Sequence, residues 1–336
     1  MRKLLLAVIL AMAPVPAGAW GYFGHHMISE VAMKSLPADL PAFLRSDLAI
    51  AQIGALSQEP DMSRGAGQPH DADLDPGHFL DVSDDFTILG GPKLSALPAT
   101  RQDYDTALRA IGSNEYKAGF LPYNILEGWQ QLVHDFALLR AWQASVKHAP
   151  AFKVSAADRR QYGRLLDVRR MLVLRDLGVW AHFVEDASQP MHVSVHYNGW
   201  GDGPNPESFV TGPGLHSRFE SVFVGAQVKE ADIAAAMGPL AHCDDSLQGC
   251  TQAYLAGTAQ WTVKLYHLDK AGAFDVATPE SRHFAVQRLA DAANHLRDMV
   301  VDAWRASKDE TLGYKVKTPV VDYEAGKAIM PLQSMD

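Results

Sequence analysis

Apolar residues recur along most of the chain at intervals of three and four, the spacing of helices with one buried face. In "ISEVAMKSL", directly after His26 and Met27, the period runs until Pro37, which cannot continue a helix. "ALPATRQDYDTALRAIG" and "LEGWQQLVHDFALLRAWQASV" repeat it, and "SAADRRQYGRLLDVRRMLVLRDLGVWAHFVEDASQ" is the longest helical stretch. Ser155 with Asp158 suits the start of that helix, and Pro190 stops it. "TQAYLAGTAQWTVKLYHL" and "SRHFAVQRLADAANHLRDMVVDAWRAS" add further helices. No alternating strand pattern with tight hairpin turns stands out. The pattern predicts an all-α fold in a single domain, without internal repeats or a linker. Long loops rich in Gly, Pro, Asp and His interrupt it at 57–78, 83–96 and 193–216, and loops of that length are usually functional. The tail from Gly313 to Asp336 has no clear period and reads as a loosely attached extension of the 20–312 domain.

The first nineteen residues read as a signal peptide: Arg2 and Lys3, an apolar core from Leu4 to Ala13, and the small-x-small site Ala17-Gly18-Ala19. The core is too short to span a bilayer, and Trp20 stands where a lipoprotein would need cysteine. A secreted or periplasmic protein beginning at Trp20 is expected. Composition is ordinary for a globular chain, at 47% apolar and 21% charged, and no later apolar run is long enough for a membrane helix. The net charge of −9 argues against a basic platform for duplex nucleic acid, though not against a small cleft that takes phosphates through metals. Cys243 and Cys250, in "CDDSLQGC", are the only cysteines and read as one short-loop disulfide. Any metal centre must then use nitrogen and oxygen.

The sharpest chemical signal is "HFVEDASQPMH". His182 and Asp186, four apart on a helix, leave the same face, and His192 follows on a turn that can fold back beside them. "GLHSRFESVF" repeats the spacing with His216 and Glu220. "PGHFLD" contributes His78, and "EPDMSR" contributes Asp61, with Asp71, Asp73 and Asp75 as rivals for its role. Cleavage before Trp20 would free an amine that, with its own carbonyl and His25 a helical turn inward, can chelate a metal.

Together these residues resemble one superfamily, the trinuclear-zinc phospholipases C of bacteria and the single-strand-preferring zinc nucleases of fungi and plants. The motif-bearing parts span residues 20 to 220 and keep the order of nine ligands. The resemblance implies an all-helical enzyme with three zinc ions. Asp61, His78, His182 and Asp186 would hold the first, and His192, His216 and Glu220 the second. The Trp20 amine and carbonyl, His25 and a bridging Asp186 would hold the third. It further implies phosphodiester hydrolysis by solvent that the zincs activate, with Asp61 and Asp186 as catalytic groups.

"QPMH" and the glutamate of "GLHSRFE" resemble the phospholipase branch, which makes phospholipid the leading substrate and a transient contact with a membrane surface its corollary. The spacing in "WGYFGH" and the segment "HFLD" resemble the nucleases, where Phe79 would stack on a base and Asp81 would bond its edge. Tyr197, Asn198 and Trp200 lie in the loop after His192 as further substrate candidates, with Tyr22 or the Tyr197 and Trp200 rings able to contact a choline-like cation. A third reading is a helical protein that binds zinc without catalysis. The stretch between His78 and His182 is longer than in either branch and is expected to wall the cleft or rebuild the substrate pocket.

Overall fold

The computed structural model describes residues 20–201 and 203–332, so the leader read at 1–19 lies outside the described residues. Fifteen α-helices are described, with one two-stranded antiparallel ribbon, and the expected all-α fold is what the chain adopts. In chain order the helices are α1 (Gly21–Lys34), α2 (Asp47–Leu56), α3 (Glu59–Met62), α4 (His70–Leu74) and α5 (Arg101–Arg109). Then come α6 (Glu115–Ala118), α7 (Leu121–His148), α8 (Ala156–Asp186), α9 (Leu215–Ser217) and α10 (Val224–Gln227). The last five are α11 (Glu230–Ala236), α12 (Leu247–Ala259), α13 (Thr262–Lys270), α14 (Pro279–Ala306) and α15 (Val320–Glu324). None of the described helices is long and apolar enough to cross a membrane.

Helices α7 and α8 form the spine. Ser155 caps α8 as expected, its hydroxyl accepting from the Asp158 amide, and the pair runs antiparallel. Trp142 meets Tyr162 at one end, while Trp180 donates to the Ile125 carbonyl at the other. Gly128 permits this approach, because a Cβ there would stand 2.1 Å from the Trp180 ring. Helix α14 packs behind both, and α1 lies against α2, α8 and α14. The last turn of α8 is thereby sunk in the core, with His182, Glu185 and Asp186 at 0% exposure.

Two of the loops carry more structure than expected. Residues 57–78 hold α3, α4 and a 3-10 turn over Asp75–His78, and 83–96 folds back through isolated bridges pairing Val82 with Ile88 and Thr87 with Lys93. The tail also departs from expectation. Strands β1 (Thr311–Leu312) and β2 (Thr318–Pro319) pair, and α15 packs on α7. Arg140 bonds Glu324 at 2.8 Å, Tyr162 donates to the Met330 carbonyl at 2.6 Å, and the Met330 amide donates to Ser145 at 2.8 Å. Val320, Tyr323 and Met330 are buried, too few and too unevenly spaced to print a helical period. Cys243 and Cys250 are bonded as expected.

Candidate metal centre

Helix α8 ends at Asp186, and the side chain of Gln189 accepts from the Met191 amide at 2.7 Å, which shapes the 3-10 turn Pro190–His192. That turn brings His192 back beside the helix end. His192 Nδ1 donates to the His78 carbonyl at 2.7 Å, and the Leu80 amide donates to the His192 carbonyl at 2.8 Å, so the turn that carries His78 is fastened to it. The opposite side of the His78 turn is held by the start of α7. The Phe120 amide donates to Pro76, the Leu121 amide to Phe79, and the Asn124 amide nitrogen to Gly77. The long stretch between His78 and His182 therefore braces the turn that carries His78.

Three groups of donors gather here. In the first, His78 Nδ1 lies 2.9 Å from His182 Nε2, and both lie 3.9 Å from an Asp61 oxygen. Asp186 Oδ2 joins them, 3.2 Å from His78 and 3.3 Å from His182. In the second, His192 Nε2 lies 3.0 Å from His216 Nε2, which lies 2.8 Å from Glu220. Glu220 sits in a π-helical turn, Arg218–Phe223, a local widening that recurs at functional sites. In the third, His25 Nε2 lies 3.5 Å from the other Asp186 oxygen, Oδ1, with the His25 ring stacked on His182 at 4.1 Å. Eight of the nine expected ligands thus converge through their side chains. Asp61, rather than Asp71, Asp73 or Asp75, is the aspartate that stands in the donor group with His78 and His182.

The arrangement fits a cation better than a hydrogen bond. His192 gives its Nδ1–H to the His78 carbonyl, and His216 gives its own to the Tyr197 carbonyl at 2.6 Å. With Nδ1 so committed, each ring turns its Nε2 inward, and the two Nε2 atoms stand 3.0 Å apart with Glu220 and Gln189 also within reach of His216 Nε2. Tetrahedral zinc with bonds of about 2.0–2.1 Å sets its donors roughly 3.3 Å apart, close to this spacing. Asp186 Oδ1 and Glu220 Oε1 are buried and accept no hydrogen bond among the described residues. All donors are nitrogen or oxygen, a set compatible with zinc.

Electrostatics agree. Burial drives the His78 and His192 imidazoles well below their ordinary value and keeps them neutral. Burial pushes Asp186 up to about 7 against the pull of His182, and pushes Glu220 up against His216. For His182 and His216 burial opposes charge, but Asp186 and Glu220 respectively outweigh it and leave them raised. A dication among these atoms would favour ionised carboxylates and neutral imidazoles together.

Trp20, the ninth expected ligand, is fully buried at the start of α1 in a left-handed conformation, φ 41° and ψ 5°. Its indole donates to the Glu185 carbonyl at 2.8 Å and to Ser188 at 3.1 Å, and its own carbonyl accepts from the Gly24 amide. The cut expected ahead of it falls on residues outside those described.

The substrate candidates divide. Phe79 and Asp81 flank the ligand turn; burial raises the Asp81 carboxyl to about 7. Tyr197 exposes its ring at 58%. Trp200 and Asn198 depart from expectation. Trp200 is buried, stacked on His196 at 3.7 Å and edge-on to Tyr266. Asn198 Oδ1 accepts from the Gly214 and His216 amides, so it builds the turn before His216. Polar and aromatic loop residues advertise binding and packing alike, which is why sequence could not separate them. His196 is likewise engaged, with Asp84, the Gly201 amide and Trp200.

Sequence reasoning passed over three residues. Arg64 pairs with Asp61 at 3.3 Å and Asp75 at 3.1 Å, which sets a cation beside the first group. Gln189 reaches Glu220 at 3.1 Å, and Glu185 bonds His25 at 2.5 Å. Only the place of Arg64 three residues after Asp61, on one helical face, could have signalled any of them. A cavity of about 720 Å³ between α12 and α14 is lined by none of the nine ligands. The chemistry lies in the buried donor groups instead. Comparison of the chain with family models, curated proteins and solved structures finds no match.

Proposed function

We propose that the protein is an exported zinc-dependent phosphodiesterase, with phospholipid as its leading substrate. The observation that carries the reading is the approach of His192 and His216 Nε2 to 3.0 Å, their Nδ1 atoms both given to backbone carbonyls, beside a carboxylate, Asp186, shared between two further donor groups. Zinc ions held there would supply Lewis acidity at phosphorus and acidify water at neutral pH. Asp61, at the least buried edge of the centre, is suited to accept a hydrogen bond from the attacking water and orient it. Arg64 offers its guanidinium to a non-bridging phosphoryl oxygen. Asp186 fixes the spacing of the groups on either side of it, and the buried surroundings exclude bulk solvent.

Phospholipid is favoured by exposed apolar side chains on the segments that carry His25 and Glu220. Tyr22, Phe23 and Val222 are 64%, 60% and 65% exposed, and Phe23 packs on Gly225 just beyond the turn that carries Glu220. Such side chains can enter a lipid interface beside the site. Phe79 and Asp81 support a second reading, cleavage of single-stranded nucleic acid and removal of 3′-terminal phosphates. A carboxyl raised to about 7 can donate as well as accept at a base edge. Assays of the purified protein on phosphatidylcholine vesicles and on single-stranded DNA and RNA decide between them. Lipid turnover supports the leading reading, and nucleic-acid turnover alone replaces it. Tightly bound zinc with neither turnover leaves a zinc-binding protein without catalysis.

A further inference from the structure

Glu185 precedes the shared carboxylate Asp186 and is itself fully buried, yet it lies in none of the three donor groups. Its carboxylate is wholly committed. Oε2 accepts from His25 Nδ1 at 2.5 Å and Oε1 from the Ser29 hydroxyl at 2.5 Å. Its backbone carbonyl accepts the Trp20 indole N–H at 2.8 Å. One residue therefore grips the side chains of both Trp20, at the head of α1, and His25, within it, and Ser29, one turn after His25, grips it in return. The His25 imidazole is strung between adjacent carboxylates, with Nδ1 on Glu185 and Nε2 at 3.5 Å from Asp186 Oδ1.

We infer that Glu185 is the positioning residue of the N-terminal metal group: it orients His25 through Nδ1, keeps Nε2 directed at the ion, and anchors Trp20 beside it. The inference rests on the metal centre proposed above. A carboxylate on the remote nitrogen of a ligating imidazole fixes tautomer and ring orientation and strengthens the ligand, and loss of such a partner typically costs roughly 10- to 100-fold in metal affinity. A purely structural carboxylate would hold α1 to α8 without altering one ion selectively.

The test counts zinc in the exported full chain by mass spectrometry and times its release to a chelator. The native protein is expected to hold three ions. Glu185→Ala should lose one of them, or release it about 10- to 100-fold faster, while the other two leave at native rates. Glu185→Gln keeps an acceptor for His25 without the charge and should fall between. Reloading with cobalt(II) should show the change in the absorption of one ion only. Should Glu185→Ala fail to fold, Glu185→Gln and Ser29→Ala carry the test, both weakening the same ion. Native-like ion count and release in the folded variants would overturn the inference alone. A native protein that binds no zinc would overturn the metal centre and the inference together.

Discussion

His192 orients itself on the backbone of His78, donating Nδ1–H to that residue's carbonyl at 2.7 Å, so a ligand of one donor group rests on the chain that carries a ligand of another. His216, by contrast, rests on the Tyr197 carbonyl, and the donors beside it are those of its own group, His192 and Glu220. The two histidines should therefore differ when removed. His192→Ala is expected to lower zinc content by more than one ion, because the His78 turn loses its brace, and His216→Ala by one. Native mass spectrometry of the two variants checks this. Equal losses would show the groups to be independent.

Chelation should abolish hydrolysis and reduce thermal stability together. Ions that bind only the folded chain add about 2.7 kcal/mol each when present at 100 times their dissociation constant. Prolonged dialysis against a strong chelator is expected to lower the melting temperature by several degrees or more. Zinc should restore both properties, and calorimetry paired with a phosphodiester assay reads the outcome.

Asp81 gives a test in the pH dependence of stability. Its carboxyl is raised to about 7 by burial, against about 3.9 in an unfolded chain. Between those values the unfolded chain has lost the proton that the folded chain keeps, so this group makes the protein less stable as pH rises from about 4 to 7. Below about 4 both states are protonated and the penalty vanishes. Asp81→Asn should thus gain on the native protein by on the order of 2–4 kcal/mol from pH 4 to pH 8. Denaturant unfolding at the two pH values measures it, and a constant difference would mean the carboxyl is well hydrated.

The start of the chain offers a further test. Protein retaining one extra residue ahead of Trp20 should lose one zinc and most of its activity, because a peptide nitrogen cannot replace an amine as ligand. Full zinc content and activity in that protein would remove Trp20 from the ligand set.

What could be read in advance followed the range of the forces involved. The centre of the site was legible in "HFVEDASQPMH" because helical spacing and a stopping proline set the geometry of His182, Asp186 and His192 locally. Asp61 could only be placed among four nearby aspartates, since the short helices of 57–78 depend on contacts with the rest of the fold. Glu185 was hidden for the same reason. Beside Asp186 it reads as a surface acid, and only the docking of α1 gives it His25 and Ser29 as partners. Asn198 and Trp200 mark the converse limit, as residue types suited to ligands that the chain spends on itself.

The clasp formed by Met330 on Tyr162 and Ser145 has a bearing on assembly. Ribosomes deliver α7 and α8 well before they reach Met330, so the spine stays uncovered at one end through the final stage of synthesis. The helix that presents His182 and Asp186 gains its last backing only then.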